Sequence, residues 1–487
     1  MSVSTSFFID NLGCSKNQVD AEVMLAVLER AGWRRSPDAG NADLIIVNSC
    51  GFIDSAKQES IAVAFDYQRS FPQTPVVMAG CLSQRYPDEI FGDMPELAGV
   101  FGNRDPSRVI EIADAVLAGR RTVLVPAARR PQPPRNGLLS FPGSAYVKIS
   151  EGCDSRCSFC AIPSIRGALH SRSIDEVVQE VTALLQRGIF EITLVSQDFS
   201  AFGRDRGGSE AVRLMQAISD LPGDFWIRPL YVYPEEFPRP ILDICAADPR
   251  ILPYFDLPFQ HANRSVLRAM GRPGDGERYL ELVGEIRRAL PDSVLRATLM
   301  VGFPGEGDKE FEELLRFQQR AELDWAGFFT FSPQEGTAAH RLSARLSPVA
   351  PRRAQQRMRE LESAQRRISE RRLRRFVGRK LRLLLEEPVS GEPLYLARAW
   401  CHAPDVDGLV VLRTGGLPKA RLQPGMVVDA RIVRVNGLDL EAVPVAPGAS
   451  AAAETAAVAA ASPDRVAPQA RAVLQAPDGP AARGRQP

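Results

Sequence analysis

Three cysteines, Cys153, Cys157 and Cys160, lie in the run EGCDSRCSFCAIPSIRG with the spacing CxxxCxxC. Clusters of the [4Fe-4S] type that only carry electrons are normally held by four cysteines, so three thiolates in one short loop leave an iron without a protein ligand. A second molecule can bind and react at that iron. Zinc is the competing metal, but its sites use two cysteine pairs, or a pair followed by histidines. The four histidines, His170, His261, His340 and His402, all lie outside the triplet's immediate neighbourhood. A disulfide fits the spacing less well still.

Cys14, Cys50 and Cys81 form a second set. Cys14 follows the strand-like SFFIDNLG, Cys50 ends DLIIVNSC and Cys81 ends PVVMAGC, and each precedes a helix-like segment. Open parallel sheets collect ligands at the carboxyl ends of their strands. These cysteines are therefore expected to converge on one site, a second three-thiolate cluster, although they stand 36 and 31 residues apart. The plainer reading is three unrelated core cysteines, because free Cys often serves as a small buried residue. Cys245 and Cys401 belong to no such pattern and read as structural.

The chain that must position these groups has 487 residues, about three domains at ~150 residues each. Net charge is +1, from 60 basic and 59 acidic residues, so bulk electrostatics announce no nucleic-acid partner. The amino terminus lacks a signal-peptide pattern and no segment has a membrane-span pattern. Eight cysteines without secretory signals point to a reducing, cytoplasmic setting and to no membrane partner.

Residues 5–125 alternate β-branched runs with helical stretches and predict an open α/β sheet domain; 126–142, rich in Pro and Arg, reads as a linker. Residues 143–375 repeat strand and helix six times, as in an incomplete (β/α)6 barrel with the cysteine loop after its first strand. The basic helical stretch from Pro348 to Arg379 reads as a solvated face, with RNA or ribosome contact as the alternative. Residues 376–446 predict a small antiparallel β-barrel of the oligonucleotide-binding size, and 447–487 a disordered Ala/Pro-rich tail. Within the central region, Gly302, Pro304 and Gly305 form a turn that would let a flat nucleoside cofactor approach the backbone. Arg296 could meet a carboxylate, and Gln197 and Asp198 at another strand end could hold polar parts of a cofactor or substrate. The plainer role for such polar groups is to satisfy the backbone.

Taken together, GCSKNQVDAE, VNSCGFIDSAKQES, AGCLSQRY, GCDSRCSFCAIPSIRG and VGFPGE resemble the radical S-adenosylmethionine (SAM) methylthiotransferases, over about residues 5–446. The terminal barrel resembles a TRAM domain. The resemblance implies two [4Fe-4S] clusters, one on Cys153, Cys157 and Cys160 that cleaves SAM, and one on Cys14, Cys50 and Cys81 that delivers sulfur. Gly302, Pro304, Gly305, Arg296 and Gln197 would contact SAM.

Asp154 after the first triplet cysteine, FDLPFQH with His261, SPQEGTAA, and WCHAPDVDG with Asp405 and Asp407 resemble the branch that modifies an aspartate β-carbon in small-subunit ribosomal protein twelve. The implied partners are that protein, a reductant such as flavodoxin or ferredoxin, and rRNA. The acidic PDVDG loop would help to dock the basic ribosomal protein. A transfer-RNA adenosine methylthiotransferase and a non-catalytic iron-sulfur RNA-binding protein are the alternatives. FGNRDP and the tail depart from the family pattern; neither is expected to touch a cluster ligand.

Overall fold

The computed structural model describes residues 5–127, 133–346, 348–415 and 422–445; the expected tail, and part of the expected linker, lie outside them. Strands β1 (Ser6–Asn11), β2 (Arg34–Arg35), β3 (Leu44–Ser49), β4 (Val76–Gly80), β5 (Gly99–Gly102) and β6 (Thr122–Leu124) form one parallel sheet in the order β2-β1-β3-β4-β5-β6. LIIVNS and VVMAG are buried throughout, as strands covered on both faces must be.

Strand β7 (Ser144–Lys148) opens the central region, and the short β8 (Ser150–Glu151) and β9 (His170–Ser171) pair antiparallel to bracket the triplet loop. Strands β10 (Glu191–Val195), β11 (Trp226–Pro229), β12 (Tyr254–Gln260), β13 (Val294–Val301) and β14 (Trp325–Thr330) complete six parallel strands. They hydrogen-bond as two halves, β11-β10-β7 and β12-β13-β14, joined through the Ile227–Ile251 bridge. Pro229 ends β11 and Pro253 precedes β12, and neither has an N–H to continue a ladder. Residues such as Val147, Leu194, Leu257 and Leu299 pack outward on the helices, while Tyr146, Trp226, Tyr254 and Trp325 share an inner cluster with the last barrel.

Strands β15 (Lys380–Pro388), β16 (Leu394–Ala399), β17 (Val410–Arg413), β18 (Val427–Asn436) and β19 (Asp439–Pro444) close into a barrel. It is not wholly antiparallel as expected, because β17 and β19 pair in parallel. A closed ring with an odd number of strands cannot alternate direction at every junction. The described part of the expected linker is pinned: Arg135 is buried, pairs with Glu22 and Glu180, and donates to the Tyr146 carbonyl at 2.7 Å.

Candidate functional site at the junction of two cysteine sets

Cys14 occupies the N-cap of the helix Ser15–Arg30, Cys50 follows β3, and Cys81 begins the short helix after β4. The loops that carry them touch. Gly13 lies against Cys50 so closely that an added Cβ would stand 3.1 Å from the Cys50 Cβ, and one on Gly51 would strike the Cys81 carbonyl carbon at 2.8 Å. Burial works against the Cys14 thiolate, but Lys16, Arg166 and the N–H groups of Asn17 and Lys16 outweigh it and lower the pKa. As a residue, Cys14 is nevertheless exposed. Cys50 is pushed up to about 12 by burial and by its neighbours Cys81 and Cys14. Burial also raises Cys81, against the pull of Arg166.

Gly152, with φ +71, starts the second loop where a Cβ would collide with the Ala168 carbonyl oxygen at 2.0 Å. The Cys153 N–H donates to the Gly167 carbonyl at 3.1 Å and the Leu169 N–H to Asp154 at 3.0 Å, so Asp154 ties the loop together. Cys157 Sγ lies 3.3 Å from the Tyr233 hydroxyl, whose ring carries Arg272, itself paired with Glu235. Cys160 is pushed up to about 12 by burial, with Cys157 and Cys153 adding to the shift. Among the described residues no three His, Cys, Asp or Glu side chains gather tightly enough for one metal ion. A four-iron cube asks for a wider triangle, because each thiolate binds a different iron. Both cysteine sets supply the thiolate donors such a cube takes.

The two sets meet across one interface. Arg166, on the short helix after Cys160, is fully buried and donates to Cys81 Sγ at 3.3 Å and to Asn17 at 2.7 Å, while pairing with Glu151 and Asp20. Ala161 and Ile165 pack on Cys81 from the same helix. Lys16 reaches the other way, to the Ser196 carbonyl at 3.1 Å and over the Tyr231 ring at 3.7 Å. Sequence reasoning passed over Lys16, Arg166, Tyr231 and Tyr233; only the positive φ of Tyr231 (61°) marks it as unusual, and that is invisible in a sequence. FGNRDP does touch a candidate ligand, against expectation. Asn103 is buried where β5 ends beside β4 and donates to Cys81 Sγ at 3.1 Å.

Beside Cys153, the segment after β10 holds buried polar atoms that lack partners among the described residues: Ser196 Oγ, both ends of the Gln197 amide, Asp198 Oδ2 and Ser200 Oγ. Burial raises the Asp198 pKa to about 6, partly offset by the Ser200 N–H and by Arg204. Such orphaned groups fit a polar ligand of SAM's kind. Gly302 has a packing reason for its bare Cα, since a Cβ there would stand 2.9 Å from Ala354. Its N–H donates to Glu306, while Gly305 faces open space. Pro304 lies buried between them in the same turn. Arg296 is not at this rim. It sits near the start of β13 and pairs with Asp256 at 2.8 Å and Asp407 at 3.5 Å.

Asp407 is likewise displaced from its expected role. Its carboxylate is buried, accepting from Tyr254 Oη at 2.6 Å and the Ala403 N–H at 2.8 Å, and Asp405 accepts from Tyr146 Oη at 3.0 Å. Asp407 therefore turns into the central barrel, where Trp325 Nε1 also donates to the Cys401 carbonyl, while Asp405 stays exposed. Tyr254 and Arg296 satisfy Asp407 there.

An open parallel barrel with a CxxxCxxC loop after its first strand defines a radical SAM enzyme. Family models agree: the radical SAM superfamily matches residues 147–317, the uncharacterized protein family UPF0004 matches 6–102, and the TRAM domain matches 377–445. The ribosomal protein uS12 methylthiotransferase RimO of Treponema denticola is 39% identical over 470 residues, covering 90% of this chain and 100% of that protein. Its counterpart from Sorangium cellulosum is 40% identical, covering 88% and 89%. The chain belongs to the RimO family of radical SAM methylthiotransferases. A solved structure of the radical SAM methyltransferase TsrM from Kitasatospora setae, with cobalamin and a [4Fe-4S] cluster bound, shares the fold at TM-score 0.52 and 14% identity, covering 72% of this chain and 76% of that one.

Proposed function

We propose that this enzyme installs a methylthio group on the β-carbon of an aspartate in ribosomal protein uS12, using two [4Fe-4S] clusters and SAM. The juxtaposition of two three-cysteine sets across Arg166 and Lys16 carries this reading, since a reaction that joins sulfur to carbon needs both centres within reach of one substrate atom. Cys153, Cys157 and Cys160 would hold the cluster that binds SAM, and Cys14, Cys50 and Cys81 the other. When bound, these groups supply the one-electron chemistry, the sulfur and the methyl needed to turn an unactivated C–H bond into C–S–CH3.

The chain supplies position and exclusion. Tyr233, Arg272 and Glu235 brace Cys157, and Arg166 and Asn103 donate to Cys81, fixing the sulfur. Gln197, Asp198 and the hydroxyls of Ser196 and Ser200 offer SAM its polar contacts, and the turn at Gly302, Pro304 and Gly305 bounds the same rim. The terminal barrel plugs the lower end of the central one through Asp405, Asp407 and Trp400, keeping water out of the reaction chamber. Residues 5–125, 143–375 and 376–446 act as the methylthiotransferase, radical SAM and TRAM domains. Flavodoxin or ferredoxin delivers electrons, and the outward arginines of the helix Pro351–Leu373 face rRNA when the substrate is ribosome-bound. Among the described residues no helix is long and apolar enough to cross a membrane.

Anaerobic incubation of the reconstituted enzyme with SAM and reductant, with uS12 and transfer RNA offered side by side, tests the reading. Mass spectrometry should find the methylthio group on uS12 alone. Its appearance on transfer RNA, with uS12 unchanged, would overturn the assignment.

A further inference from the structure

SPQEGTAA, residues 332–339, carries no candidate cluster ligand, yet it is tied to the loops of both cysteine sets. It follows β14, and its buried Gln334 accepts from Arg85 Nη1 at 3.0 Å. Arg85 ends the short helix that Cys81 begins. Its guanidinium also donates to the Gly51 carbonyl at 3.1 Å, one residue after Cys50, and to the Glu335 carbonyl at 2.8 Å. One planar fork therefore joins the Cys81 helix, the Cys50 loop and a segment 249 residues away in the chain. Gln334 is itself held in place: its amide donates to Ser332 Oγ at 2.8 Å, and Ser332 Oγ donates to Asp54 at 3.1 Å, at the start of the helix that follows Cys50.

The other end of the motif reaches the triplet loop. The Gln334 carbonyl accepts from the Thr337 N–H at 3.1 Å and from Thr337 Oγ1 at 2.6 Å, and the same hydroxyl caps the helix Ala338–Ser343 by accepting from the His340 N–H at 3.2 Å. The N–H of the buried Ala339 then donates at 2.7 Å to the carbonyl of Ser158, which lies between Cys157 and Cys160. Ser158 is fixed from its other side, its own N–H donating to the Met270 carbonyl at 2.8 Å. A continuous run of hydrogen bonds thus leads from the Cys50 and Cys81 loops through Arg85 and Gln334 to the middle of the triplet. Arg166 joins Cys81 to the segment after Cys160. Two separate attachments fix an orientation where one would leave a hinge.

We propose that Arg85 and Gln334 are positioning residues, a brace that holds the two cysteine loops in the relative placement that couples SAM cleavage to sulfur transfer. The inference rests on the proposed function above. Its test uses the anaerobically reconstituted holoenzyme with SAM, reductant and uS12, and reads the methylthio-uS12 formed per 5'-deoxyadenosine released. Iron content and amide hydrogen exchange of residues 153–160 are measured on the same samples. Arg85→Met and Gln334→Met should keep the wild-type iron content and still cleave SAM. Their product ratio should fall about 10- to 100-fold, the cost of a misplacement of about 1 Å, and exchange in 153–160 should quicken although neither residue lies in that loop. The double variant should fall no further than the worse single one, because two parts of one brace fail together. A wild-type ratio in either single variant, an iron content below wild type in either, or additive losses in the double variant would overturn the proposal. Absence of methylthio-uS12 from the wild-type reaction would instead sink the functional reading, and unchanged exchange in both variants would then overturn the brace by itself.

Discussion

Arg166 should set the reduction potential of the cluster on Cys14, Cys50 and Cys81. Its guanidinium nitrogen lies 3.3 Å from Cys81 Sγ. At an effective dielectric of about 20, a full charge on that sulfur would interact with the cation by roughly 5 kcal/mol. An electron added to a cluster puts only part of its charge on one ligand, so about 1–3 kcal/mol remains, or roughly 40–130 mV for one electron. Arg166→Met removes the cation and leaves Asp20 and Glu151 with Lys148 as their shared partner, which adds to the field against reduction. The midpoint potential should therefore fall. An EPR-monitored redox titration of the variant, in a background with Cys153, Cys157 and Cys160 changed to alanine, isolates the cluster in question. A shift under about 20 mV, or one to higher potential, would refute the electrostatic reasoning.

Asp198 should control SAM binding by pH. Its pKa is held up to about 6 by burial, so affinity for the cationic cofactor should rise with pH through about 6 and then level off. Asp198→Asn should flatten that profile and weaken binding about tenfold, as equilibrium dialysis would show. Burial depresses His261 and His402 to about 3, so both are neutral in the folded chain while the unfolded chain binds protons below about 6.5. Stability is therefore full above that pH and lost as pH falls. Two such groups remove about 3 kcal/mol between pH 6.5 and 5, which urea midpoints across pH should follow and a double His→Asn variant should reduce. Asp407 has its pKa raised to about 6, chiefly by burial, and the opposite sign holds for it. Its contribution is present below about pH 4 and is lost as pH rises through about 6, so Asp407→Asn should remove that component from the same midpoints.

The layered α/β order, the six central strands and the terminal barrel were legible because hydrophobic periodicity records which faces are covered. The placing of Cys14, Cys50 and Cys81 at successive strand ends followed from the same pattern. What the sequence hides is the distance between elements. Lys16 and Arg166 matter because two regions far apart in the chain are pressed together, and no local signal marks that contact. Asn103 was passed over for the same reason, since the sheet sets β5 beside β4. Asp407 misled because a charge run shows sign but not direction, and its side chain turns into a barrel whose wall supplies the Tyr254 hydroxyl and Arg296. The parallel β17–β19 pair could have been foreseen from parity, once the five strands are counted as a closed ring.

Two three-thiolate clusters at one junction are the foundation of this account, and iron counting with Mössbauer spectroscopy tests them most directly. The anaerobically reconstituted enzyme should hold about eight irons per chain, all in cubic clusters, and about four after either cysteine triplet is changed to alanine. Four irons in the unaltered enzyme, or no loss when Cys14, Cys50 and Cys81 are replaced, would contradict it.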